Sequence, residues 1–409
     1  MLAGCGGGGG DSQPLPTAVE TDVLVRDIDG DGRADVLTLD YEVGNGQWAG
    51  RLTVHRQIEA GRFGEPEVYA VGCSPWSMTV ADIDGDGRPD LVVADPGSGC
   101  ADASAANSVH LLLQDPAQPG RFLPARKAVA DSIAYQAAVA DLDADGLPDI
   151  AAGAASPAAR GLMLSRQDPA RRGSFLQPLV LPMSYSPSYV AAADLDADGR
   201  ADLFMNLYLG ATGNAWQSAL SVLMQQPGGG FGSPQQLSNQ SGLNVRRLSL
   251  ADVDGDGKVD LLAHLTPSSS DYQPRLTAIL QNPSGPGWSA PQDTALQAID
   301  NAGGATDHSA VGDLDGDGQP DLALVGTYAY GDGLVPRFGS TLRLMRHAGA
   351  GRYLPLADYA MPFLASAVGI GDVDGDGRND LVVFGDGVVM LLLQSRVADG
   401  RFEAPRPIR

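Results

Sequence analysis

The chemistry in this chain belongs to its aspartates. Residues 27–35 read DIDGDGRAD, with Asp27, Asp29, Asp31 and Asp35 at the first, third, fifth and ninth places, glycine at the sixth and Arg33 at the seventh. The unit returns as Asp82, Asp84, Asp86 and Asp90 around Arg88, as Asp141, Asp143, Asp145 and Asp149 around Leu147, and as Asp194, Asp196, Asp198 and Asp202 around Arg200. It returns again as Asp252, Asp254, Asp256 and Asp260 around Lys258, as Asp313, Asp315, Asp317 and Asp321 around Gln319, and as Asp372, Asp374, Asp376 and Asp380 around Arg378. Successive units start 55, 59, 53, 58, 61 and 59 residues apart.

Side chains at alternate places of a tightly curled loop converge on one point. The EF-hand loop uses that logic, adding the carbonyl of its seventh residue and a glycine at the sixth for the sharp turn. Here too the sixth residue is always glycine (Gly32 in the first unit). Glycine takes a left-handed backbone without steric cost. Oxygen ligands in this number suit Ca2+ better than Zn2+ or Cu2+. The expected ligands are the four carboxylates of each unit and the backbone carbonyl of its seventh residue, up to seven ions in all. The unit is not an EF-hand, because the last carboxylate stands at the ninth place and an apolar, strand-like run follows it at once. The alternative is a solvated acidic turn with no ion. Seven copies that each keep every carboxylate favour the ion, since bare carboxylates so close together repel.

Those loops need strands to carry them. Short runs of small or branched residues lead into each loop (SMTVAD, VAAAD, LSLAD), and buried-looking runs such as DVLTLDY and DLVVAD leave it. After a variable polar segment comes a third run, such as LTVHRQ or VHLLLQ, and then a Gly-aromatic-x-x-Pro signature, as in Gly120 to Pro124. The residues beyond the signature form a fourth strand, where proline is tolerated at an outer edge. Four strands per repeat and seven repeats predict an all-β, seven-bladed β-propeller of four-stranded antiparallel blades, with a calcium loop in every blade. A linear solenoid is the rival, but it calls for atypical end repeats, and these end repeats are regular.

In these features the chain resembles the FG-GAP/VCBS repeat family, the blades of integrin alpha-chain propellers and of many bacterial exported proteins. The resemblance covers residues 18–409. Within the Gly-aromatic signatures, literal Phe-Gly survives only at Phe63-Gly64 and Phe231-Gly232. Calcium loops in all seven repeats make the chain more similar to the bacterial branch than to integrins.

The formal net charge is -23, yet 28 of the 50 acidic residues are loop aspartates, so seven bound Ca2+ would bring it to about -9. No basic stripe exists to match phosphates, which argues against nucleic acid. No apolar run reaches the length of a membrane span. Residues 1–17 form a separate tether. Leu2-Ala3-Gly4-Cys5 resembles the bacterial lipobox, with Cys5 as the lipidated residue and polyglycine after it. A charged and apolar leader is expected upstream of it. The chain is therefore expected outside the cytoplasm, as a monomeric lipoprotein of the bacterial outer membrane or cell surface, meeting the membrane only through its lipid. Cys73 and Cys100 fall at the same end of the second repeat, opposite its Asp loop, either as a disulfide or as two free thiols.

No catalytic constellation stands out, and the five histidines are scattered. The end of the repeats opposite the Asp loops carries most of the exposed-looking aromatics: Trp48, Trp76, Tyr135, Tyr185, Tyr189, Tyr208, Trp216, Tyr272, Tyr328 and Tyr330. Variable segments on a rigid scaffold are where binding concentrates. Trp76, Tyr135, Tyr189 and Trp216 are the candidate ligand contacts, for a glycan or an envelope protein. The expected function is a calcium-binding binding or adhesion module at the cell envelope. A polysaccharide lyase or hydrolase, and a structural scaffold of an envelope complex, are the alternatives.

Overall fold

The computed structural model describes residues 17–44, 47–97, 100, 107–155, 160–212, 215–241, 243–267, 275–282, 287–295, 305–330, 337–396 and 400–408. Cys5 and its tether lie outside the described residues, as does Tyr272. So do the side chains of Trp216, Tyr328 and Tyr330, whose backbones lie in strands.

Each repeat makes one four-stranded antiparallel sheet whose spatial order follows the chain. Seven such sheets form a seven-bladed β-propeller. The first blade holds Thr17–Arg26, Asp35–Gly44, Gln47–His55 and Glu67–Ala70. The last holds Ala367–Gly371, Asp380–Gly385, Val388–Leu392 and Arg406–Pro407. Strands that follow the loops, such as Asp90–Asp95, are buried along their whole length, because a neighbouring blade covers each face.

The core lies between blades. Leu37, Leu39 and Leu52 of the first blade pack with Leu91, Val93 and Leu112 of the second. The ring closes in the same way, with Val23, Val36 and Phe63 packed on Ala367, Val382 and Phe384 of the seventh blade. No strand is exchanged at this closure, since the first and last blades each own all four of theirs. The innermost strands crowd at the axis and require small residues. A Cβ on Gly371 would stand 2.5 Å from Val25.

The variable segments between second and third strands differ from the sequence expectation in some blades. In the first, fourth and sixth blades they continue the hairpin rather than leave it: Asp35–Gly44 with Gln47–His55, Asp202–Thr212 with Ala215–Leu223, and Asp321–Tyr330 with Arg337–His347. Polar composition reads as loop, but cross-strand contacts hold the extension. Tyr41 and Trp48 stack with ring centroids 5.1 Å apart.

Candidate functional site

The Asp loops share one construction. In every loop the first aspartate accepts the N–H of the sixth-place glycine at 2.8–3.0 Å, as Asp27 does from Gly32. That glycine sits at a φ of +82° to +85° in all seven copies, a region closed to most side chains. The fifth aspartate accepts the N–H of the seventh residue at 2.8–3.1 Å.

The ninth aspartate ties the blade together. Each accepts the N–H of the loop's second residue and an N–H at the end of the third strand, at 2.7–3.1 Å. Burial pushes the carboxyls of Asp35, Asp90, Asp149, Asp260, Asp321 and Asp380 up to about 6, and that of Asp202 in the same direction. Burial first, and the neighbouring carboxylates after it, also raise Asp29, Asp84, Asp254 and Asp315 at the third place.

These residues fit a hard cation. Carboxylate oxygens of Asp27, Asp29 and Asp35 lie within 4.8 Å of one another, as do those of Asp82, Asp84 and Asp86, of Asp141, Asp143 and Asp149, and of Asp194, Asp196 and Asp202. Asp143 Oδ1 is buried without a hydrogen-bond partner among the described residues, and a cation would satisfy it. Where the seventh residue is Arg33, Arg88 or Arg200, its guanidinium pairs with the fifth-place carboxylate and offsets part of the charge.

In six of the seven blades a glutamine stands two residues beyond the third strand, and its role is not marked in the sequence. Gln114 Nε2 donates to the carbonyl of Ile28 in the preceding blade's loop (2.7 Å), and its Oε1 accepts from Gly120 N–H (3.2 Å). Gln167 does the same with Ile83 and Gly173. Gln57 donates to Val373 at 2.6 Å and so bonds the first blade to the seventh. His347 replaces the glutamine in the sixth blade, and its Nε2 is buried without a partner.

At the opposite end the blades frame a cleft of about 520 Å³ over the ring axis. Trp76, Tyr135 and Tyr189 form its continuous wall. Trp76 meets Tyr135 edge-on at 5.1 Å, and Tyr135 stacks on Tyr189 at 5.6 Å. Tyr41, Trp48 and Tyr208 complete the aromatic lining, with Asn206 and Arg246 as polar members. Arg246 lies over the Trp76 ring, 6.0 Å from its centroid. Asn206 is 4% exposed, and its Oδ1 has no hydrogen-bond partner among the described residues. Three of the four candidate contacts are thus together. Tyr189 is not exposed as expected: at 5% it is packed beneath Tyr135, and its phenol is raised by burial. Asn206 and Arg246 escaped the sequence reading because nothing local marks a residue as facing a shared cleft.

One layer deeper the axis is closed by polar groups. Arg247 donates to Asp22 Oδ1 at 2.9 Å, and His308 Nε2 lies 3.2 Å from the same oxygen. Val368 N–H donates to His308 Nδ1, and Arg247 Nη1 also lies 2.6 Å from His308 Nε2, so the three axial side chains form one cluster. Burial raises and Arg247 and His308 lower the Asp22 carboxyl, with a net fall to about 2, while burial and then Arg247 lower His308 to about 4. Cys73 and Cys100 are joined in a disulfide near the cleft, Cα atoms 5.7 Å apart.

Residues 21–93 and 141–205 match the FG-GAP-like repeat family. No curated protein matches the chain by sequence. Among solved structures it is similar to the V. cholerae biofilm matrix protein Bap1, at 14% identity over 96% of this chain and 81% of that one, with a TM-score of 0.46. It is also similar to the Bacillus licheniformis rhamnogalacturonan lyase PL11 (15% identity, 91% and 70% covered, TM-score 0.33) and to the exotype rhamnogalacturonan lyase YesX (12%, 92% and 73%, 0.35). Likeness at this level transfers no function.

Proposed function

We propose that this FG-GAP-repeat propeller is a binding module that holds a saccharide in its aromatic cleft, with Ca2+ in the Asp loops stiffening the ring. The observation that carries the reading is the cleft itself: a continuous aromatic wall beside a buried, unpartnered amide oxygen. Flat aromatic faces suit the apolar faces of sugar rings, and Asn206 Oδ1 suits a hydroxyl donor. Loss of that bond would leave the acceptor buried and unpaired, which gives the cleft selectivity for hydroxylated ligands.

In the loops, the carboxylates at the first, third, fifth and ninth places and the seventh carbonyl would hold the ion. It would supply positive charge that relieves repulsion among them. Export and anchoring through Cys5 belong to the same reading and rest on the Leu-Ala-Gly-Cys tetrad and its glycine tether. In producing cells a fatty-acid analogue should label the protein, and Cys5→Ser should remove the label. Equal labelling of both would refute the anchor.

The rival reading is an enzyme acting on polysaccharide. Among the described residues, the cleft lining offers aromatic rings, hydroxyls, amides and one guanidinium. That set suits retention better than the carboxylate pair of a glycoside hydrolase. The test is a glycan array probed with the full chain in Ca2+ and in EGTA. Binding in Ca2+ without loss of product mass from the bound glycan is the expected result. Cleavage of a bound glycan would favour the enzyme.

A further inference from the structure

Building on the cleft as a saccharide site, we infer that its ligand carries a carboxylate, as a uronic acid does, and that Arg246 reads it. Arg246 is placed for this by an irregularity in its strand. In the pairing of Leu243–Ala251 with Asp260–Pro267 the register shifts between Val245 and Arg247, so Arg246 is the unpaired extra residue. A bulge of this kind bends the strand and re-aims a side chain. Its neighbour Arg247 pairs with Asp22 at the axis, whereas Arg246 makes no ion pair among the described residues and lines the cleft over Trp76.

It is the only charged member of that lining among the described residues, in a chain of net charge -23. A cation held on an aromatic face keeps its guanidinium edge free for a two-pronged bond to a carboxylate. Asn206 Oδ1, across the strand pair from Tyr189, asks for a donor at the same time. A sugar acid supplies both groups on one ring. A neutral sugar satisfies only Asn206, and a simple carboxylate only Arg246. The surrounding acidity disfavours densely charged polyanions, so the carboxylates should be sparse along the ligand.

The test uses matched oligosaccharides in three forms: neutral, carrying one uronic acid, and carrying the same unit as its methyl ester. The full chain is titrated with each in Ca2+. The acid should bind about tenfold tighter or more than the other two, the scale of a charged hydrogen bond. Arg246→Gln should bring the affinity for the acid down to that for its methyl ester in the same variant, and Arg246→Lys should restore only part of the preference. Acid and neutral forms bound equally well, with binding lost in Trp76→Ala, would overturn the role of Arg246 and leave the saccharide site standing. Failure of all forms to bind would overturn both.

Discussion

At the residue scale, the repeated carboxylates were plain in the sequence and their division of labour was not. Spacing alone puts the four aspartates of a loop on equal terms. In the fold the ninth is buried and engaged with two backbone donors, while the third keeps spare acceptor capacity. The fourth place varies in a way the sequence displays but does not price. Ala144 and Ala197 sit there at φ of +63° and +60°, where the other loops have glycine. A left-handed alanine costs about 1 kcal/mol. Ala144→Gly and Ala197→Gly should therefore each stabilise the protein by about that amount in chemical denaturation; a loss of stability would show that the loops relax differently. His264 offers a second measurement. It is 1% exposed with neither ring nitrogen partnered among the described residues, and burial holds its imidazole down at about 3. The unfolded chain then takes the proton first as pH falls below about 6.5, so this group's contribution to stability declines from there toward the folded value. The ninth-place aspartates, raised in the fold, titrate in the same pH range, so the wild-type curve alone is not diagnostic. The difference between His264→Leu and wild type isolates the histidine. The variant should gain about 2 kcal/mol relative to wild type on going from pH 7 to pH 5, and a pH-independent difference would contradict the assignment.

At the element scale, strand count and blade order were legible because the period of the Asp unit marks every blade and binary patterning marks the strands. The hairpin extensions were not, since polar residues at the end of a sheet look the same in a strand as in a loop. Nor was the glutamine clamp. The residue repeats visibly, but in five blades one of its acceptors belongs to the preceding blade, and periodicity says nothing about contacts between units. Gln167 bonds Ile83, Pro148 and Gly173 from a site 1% exposed. Gln167→Ala strands these buried groups and should cost about 1–3 kcal/mol. A change at Gln118, exposed on a turn of the second blade, should cost far less. Equal losses at the two sites would deny the clamp. His347, in the glutamine position of the sixth blade, brings no carboxamide to that junction, and hydrogen exchange should show it opening before the junctions held by Gln57, Gln114, Gln167, Gln225 and Gln394.

At the scale of the whole molecule, the ring joins what the sequence keeps apart. The cleft draws on five blades, from Tyr41 to Arg246, and the axial plug joins Asp22 to Arg247 and His308. Trp76, Tyr135 and Tyr189 were legible because they fall just before or at the start of inner strands at one end of the repeats. The sequence could not order them into a wall. The calcium proposed for the loops would act at this scale too, since loop carbonyls such as those of Ile28 and Ile83 bond the next blade. At tenfold excess over its dissociation constant, an ion adds about 1.4 kcal/mol per site. Excess EGTA should therefore lower the melting temperature well beyond the effect of any single substitution above, and an unchanged temperature would remove calcium from the account. The most direct test concerns the cleft. A saccharide selected on the array is titrated into wild type and into Trp76→Ala and Tyr135→Ala variants, each first shown to melt at the wild-type temperature. The expected result is a loss of about 30-fold or more in affinity for at least one variant, the scale of a binding hot spot. Wild-type affinity in both, with binding abolished instead by substitutions on the Asp-loop face, would place the ligand on the other side of the propeller.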